Sequence, residues 1–139
     1  MVIGEKLWEG KCKTMGMVIK AVGPEGVTIE ATWMAQLKGF GKAKGLDGAM
    51  MYSGKILMEP SGAGWSHGQG MLNFMTGDMA VVKGSGLGKV EAGKSKSVGM
   101  FTFMTMSPKL GWLNSVWTIA TQEGDPQWTE FEMVISEWK

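Results

Sequence analysis

Arginine is absent: all 14 basic side chains among the 139 residues are lysines, set against 13 acids for a net charge of +1. The planar fork that grips phosphate, carboxylate or guanine through two bonds is therefore missing. With no charge excess either, the chain is not expected to bind nucleic acid or an anionic membrane surface. Cysteine and histidine occur once each, as Cys12 and His67. A disulfide framework, a cysteine-rich zinc site and a triad with spare histidines are thereby excluded; neither a metal nor an organic cofactor is expected. No apolar run nears the roughly 18 residues that span a bilayer. Met1-Val2-Ile3-Gly4-Glu5-Lys6 lacks the basic-then-apolar order of a secretory leader, so a cytoplasmic protein is expected. In that compartment Cys12 is a reduced, small apolar side chain, because Lys11 and Lys13 point to the opposite face of a strand.

What the chain has in excess is glycine, 22 residues, about twice the usual share and without a Gly-X-Y period. No window carries the apolar spacing of a three-turn amphipathic helix, whereas alternation with period two is frequent. In Val27–Leu37 the residues Val27, Ile29, Ala31, Trp33, Ala35 and Leu37 share one face, and Thr28, Glu30, Thr32 and Gln36 the other. Turn chemistry at Gly23-Pro24-Glu25-Gly26, Pro60-Ser61-Gly62, Thr76-Gly77-Asp78 and Glu123-Gly124-Asp125-Pro126 separates long segments. Eight strands are predicted, near 6–20, 26–38, 43–58, 64–75, 78–90, 95–106, 112–121 and 127–138. Closing eight antiparallel strands removes both sheet edges, so residues 1–139 are read as one all-β domain, a single eight-stranded antiparallel barrel of lipocalin-like shape. Interior glycines such as Gly68, Gly70, Gly84, Gly86, Gly88 and Gly99 suit that closure.

Two segments break the alternation. Val98, Met100, Met104 and Met106 oppose Phe101 and Phe103 in one, and Trp112 and Val116 oppose Leu113, Trp117 and Ile119 in the other. Strands apolar on both faces call for a cover outside the wall, and a second copy in a homodimer or other homo-oligomer is the expected partner.

The stretch Gly99–Asn114, with its Thr105-Met-Ser-Pro-Lys-Leu-Gly-Trp-Leu-Asn114 corner, the Gly68-Gln69-Gly70 and Gly84–Gly88 strands, and the closing Glu137-Trp138-Lys139 resemble small prokaryotic proteins with an allene-oxide-cyclase-like β-barrel. The resemblance covers residues 26–139 and implies an eight-stranded, commonly dimeric barrel. It also implies a cyclase-like, isomerase activity in an apolar lumen. No catalytic residue carries over from it.

An eight-stranded barrel is either packed solid or just wide enough for one small ligand. If the face of 64–75 carrying Trp65, His67, Gln69, Met71, Asn73 and Met75 points inward, the lumen has a polar strip between Trp and Met walls. The opposite face, Ser66, Gly68, Gly70, Leu72, Phe74 and Thr76, would leave His67 in solvent. The expected site is thus Trp33, Tyr52, Trp65, His67, Gln69, Met71 and Asn73, binding a small apolar or amphipathic molecule. His67 is the candidate acid or base, oriented by Tyr52, Gln69 or Glu59. Two other readings stand beside this one. Met15-Gly16-Met17 and Met104-Thr105-Met106 place paired thioethers on one face, as a Cu(I) site with an imidazole would need. A barrel packed solid would instead serve as an interaction module. Gly84-Ser-Gly-Leu-Gly-Lys89 lacks the spacing and following helix of a phosphate loop and is read as strand.

Overall fold

The computed structural model describes residues 2–139. Eight strands run β1 (Ile3–Gly23), β2 (Gly26–Gly39), β3 (Gly48–Met58), β4 (Gly64–Phe74), β5 (Met79–Glu91), β6 (Lys94–Met104), β7 (Trp117–Gly124) and β8 (Glu130–Trp138). Each pairs antiparallel with the next, and β8 returns to β1 to close the barrel. No helix among the described residues is long and apolar enough to cross a membrane.

Three strands start several residues later than expected, each for a local reason. Residues 43–47 belong to a connection with a 3-10 turn at Gly41–Ala43. Gly41 and Gly45 take left-handed φ values of 55° and 86°, and the Asp47 carboxylate accepts the Gly39 N–H at 2.9 Å. Residues 112–115 lie in a 3-10 segment, Pro108–Ser115, because Pro108 cannot donate to a ladder. Residues 127–129 form a turn in which Trp128 has φ 57°.

The inner faces of β4, β5 and β6 are graded in size. Towards the β4–β5 turn they carry Leu72, Phe74, Ala80, Val82 and Phe103, all buried. Towards the other end the inward positions are Gly64, Ser66, Gly86, Gly88, Ser97 and Gly99. The first end is therefore solid. Its centre is Trp8, with no exposed surface, whose ring stacks on Phe74 and Trp112 at 6.3 and 6.4 Å and meets Phe103 at 5.4 Å. The indole N–H donates to the Leu46 carbonyl at 3.0 Å. The Pro108–Ser115 segment seals this end through buried Leu110 and Leu113. Asn114 clamps it, accepting the Thr105 N–H at 2.7 Å and donating to the Thr105 carbonyl at 3.2 Å.

Phe101 and Phe103, whose facing the sequence pattern left open, point inward and are buried. Val98, Met104 and Trp117 remain outside and exposed. Met34, Met51, Met71, Val81 and Met104 are directly opposed in turn across β2 to β6, forming one apolar row on the outer surface.

Two strands approach closely enough at Gly70 to require glycine. A methyl there would lie 2.1 Å from the Met51 carbonyl oxygen and 2.8 Å from the Tyr52 Cα, both backbone atoms. Gly70→Ala is expected to lower unfolding stability by about 1–3 kcal/mol, read as a drop in urea midpoint.

The β1–β8 seam takes up only the first half of β1. It begins where the Val2 N–H donates to the Lys139 carbonyl at 3.0 Å and ends where the Thr14 N–H donates to the Thr129 carbonyl at 2.9 Å. Beyond it β1 bulges between Thr14 and Gly16 and continues along β2 alone. The wall therefore parts between the distal half of β1 and the β7–β8 turn.

Candidate functional site

Small inward residues on three strands, with that parted wall, leave a cavity of about 400 Å³ at the end opposite Trp8. This lies within the span of small-molecule sites, roughly 300–1,000 Å³. Trp33, Tyr52 and Phe101 form its floor, where the packed half of the barrel ends. Trp33 and Tyr52 stack at 4.8 Å, Phe101 tilts against Tyr52 at 5.5 Å, and Phe131 meets Trp33 edge-on at 5.7 Å. Ile29, Ile56, Met58 and Ala120 complete an apolar wall.

The polar groups are few. Tyr52 is 8% exposed, and burial alone pushes its phenol up to about 12, so it is a neutral donor at physiological pH. Its hydroxyl has no hydrogen-bond partner among the described residues. Every fully enclosed side-chain polar atom among them has one, so this hydroxyl fronts the open cavity. Gly84 makes room for it: a methyl there would sit 2.8 Å from the hydroxyl oxygen and 2.5 Å from the Phe101 ring. Gln122 is held by Ser97, which donates to its Oε1 at 2.7 Å, while its Nε2 reaches the Met133 sulfur at 3.3 Å. Lys89 stands at the rim, paired with Glu91 at 2.6 Å.

Trp128 covers part of the mouth, edge-on to Phe131 at 5.4 Å, and its carbonyl accepts the Thr14 hydroxyl. The loop carrying it is braced by Asp125, whose carboxylate accepts the Glu130 N–H at 2.9 Å and whose carbonyl accepts the Ser95 hydroxyl at 2.7 Å. The Glu130 hydrogen bond, helped by Thr129, holds the Asp125 carboxyl below its usual range. A depressed carboxyl stabilises the fold above its unfolded pKa of about 3.9, and that contribution disappears as pH falls through the folded value. The loop should therefore stay closed at neutral pH and loosen only in strong acid. Asp125→Ala should remove the carboxylate bond at every pH while keeping the Ser95 bond to the main-chain carbonyl, seen as faster amide exchange at Glu130 in the variant than in the parent at pH 7.

Of the expected site residues, Trp33 and Tyr52 line the cavity. Trp65, His67, Gln69, Met71 and Asn73 are corrected to the outer surface, where all five are exposed. The reason is the size gradient: Leu72 and Phe74 fill the solid end, and their alternation sends the odd-numbered residues outward. His67 lies between Lys55 and Ser85 on its neighbouring strands. It is remote in facing from Tyr52, and Glu59 instead accepts the Trp65 N–H at 2.7 Å. His67 has no lumen in which to act as acid or base. The paired methionines do not converge on it either. Met15 sits at the β1 bulge near the open end, whereas Met104 closes β6 at the solid end. Cys12 faces inward between Ala35 and Phe131, and burial pushes its thiol up to about 12. Phe101, Gln122, Trp128 and Phe131 were not anticipated as site residues. The small-residue alternation of 64–70 could have revealed the inward face, and with it the cavity.

No protein-family model matches the sequence, and no curated protein matches it. Solved structures do. A protein of unknown function from Clostridium acetobutylicum superimposes with a TM-score of 0.84 at 12% identity, covering 100% of both chains. A beta-barrel like protein from Acinetobacter baumannii gives 0.79 at 14% identity, covering 99% of this chain and 96% of that one. An enzyme from Penicillium herquei gives 0.65 at 17% identity, covering 96% and 92%. These likenesses show the fold: a closed eight-stranded antiparallel barrel, shared with bacterial proteins of unknown function and with one enzyme.

Proposed function

We propose that the barrel binds one small apolar or amphipathic molecule in the open half of its lumen, acting in the cytoplasm. The observation that carries this reading is the 400 Å³ aromatic-floored cavity over a solid base, walled by small inward residues. Close strand approach requires glycine at Gly86 and Gly99, but not at Gly64, where a methyl meets nothing closer than 3.6 Å. A barrel serving only as a packed module has no use for such space. Titration with Nile Red tests the reading. A saturable, single-site rise in blue-shifted emission with matching protection against heat is expected; its absence up to the solubility of the dye would remove the proposal.

A cyclase-like, isomerase reaction on the bound molecule is the second reading. The likeness to an enzyme structure favours it, as does the earlier resemblance to allene-oxide-cyclase-like barrels. Its donor would be Tyr52, not His67. We also propose a homodimer, supported by the outer row Met34, Met51, Met71, Val81 and Met104. Sedimentation at tens of micromolar protein should give twice the chain mass, and a monomer would contradict it.

A further inference from the structure

We infer that the lumen takes a neutral ligand bearing a hydrogen-bond-accepting oxygen, anchored by the Tyr52 hydroxyl, and discriminates against carboxylates; this rests on the lumen-binding reading above. The anchor is an unpartnered donor on a side chain more than nine-tenths buried, held in place by Trp33 and Phe101. The hydroxyl faces the cavity with no partner in the fold, so it is free to donate to a ligand oxygen that enters. Gln122 offers a second polar contact, its amide group already oriented by Ser97.

The discrimination follows from what the lining lacks. Lys89 is the one charged residue lining the cavity among the described residues, and it stands at the rim in its ion pair with Glu91. The chain has no arginine, and His67 is outside. A carboxylate drawn down to the Tyr52 floor would leave water without meeting a cation, while a ketone, ester or alcohol would lose little. A charged head left at the rim would keep its hydration but forgo the anchor.

The test uses a matched pair with the same ring system, neutral acetonaphthone and anionic naphthoate, each displacing Prodan, a neutral naphthyl ketone, from the full chain at pH 7.5. Acetonaphthone is expected to bind at least tenfold more tightly than naphthoate. Tyr52→Phe keeps the ring stack and should weaken acetonaphthone and Prodan by about 2- to 12-fold, the range for one neutral hydrogen bond. Naphthoate should be unaffected by that change. Circular dichroism with a melting curve verifies that the variant is folded. Equal binding of the pair, or a Tyr52→Phe variant that binds Prodan as the parent does, would overturn the inference while leaving lumen binding intact. Failure of Prodan to bind the parent at all would overturn both.

Discussion

Trp8→Ala should cost about 3–5 kcal/mol of unfolding stability, the largest loss expected from any single truncation in this barrel. The side chain has no exposed surface and touches three aromatic rings at once, so the solid end cannot collapse around the void without moving Phe74, Phe103 and Trp112. Deleting the indole also strands the Leu46 carbonyl, which anchors the β2–β3 connection. For a chain of this length the melting temperature should fall by roughly 12–20 °C. Trp8→Phe keeps an aromatic ring in the stack and should lose markedly less. Because Trp8 lies below the floor of the cavity, Trp8→Ala studied beneath its lowered melting point should retain probe affinity within about twofold. A small loss of stability would mean that the aromatic stack is not the keystone of the solid end.

The second large effect is on binding. Gly64→Leu places an isobutyl group in the cavity from a position whose Cβ meets only the Ile56 side chain at 3.6 Å and carbonyls at 3.9 Å. Replacing a strand glycine relieves roughly 0.5–1 kcal/mol of backbone entropy cost, so stability should hold or rise. Affinity for Nile Red should meanwhile fall at least tenfold, because the variant fills the space the dye would occupy. The contrast with Gly70→Ala is diagnostic: one inward glycine of β4 borders a void and the other borders backbone. Unchanged dye binding by a folded Gly64→Leu protein would place the dye elsewhere, on the outer methionine row for instance.

Strand number, order and most turns were legible because glycine, proline and aspartate mark the turns and alternation marks the strands. The facing of β4 was not. Both of its faces carry apolar residues, Trp65 and Met71 on one and Leu72 and Phe74 on the other, so hydrophobicity alone does not orient it. Size would have done so. Gly64, Ser66, Gly68 and Gly70 alternate as small residues, which suits the crowded concave side of a closed sheet and not its convex side. The facing of Phe101 and Phe103 was hidden for the same reason, Met100 and Met104 on the other face being equally apolar. The second half of the Pro108–Ser115 plug was hidden because Trp112 and Leu113 read as the start of a strand. Trp33 was found because β2 alternates cleanly; Tyr52, which lies directly opposite it on β3, was named as a partner for His67.

The seam between β1 and β8 orders events during synthesis. It joins residues near 3–13 to residues near 130–138, the two most distant parts of the chain, so no part of it can form until the last strand has been made. Until then β1 and β7 both stand as raw edges beside a surface rich in methionine, the condition under which strands recruit one another between molecules. Contacts of such sequence separation are also the slowest to form. The finished barrel has hidden most of its edges, yet the nascent chain carries two of them for nearly the whole time it takes to build.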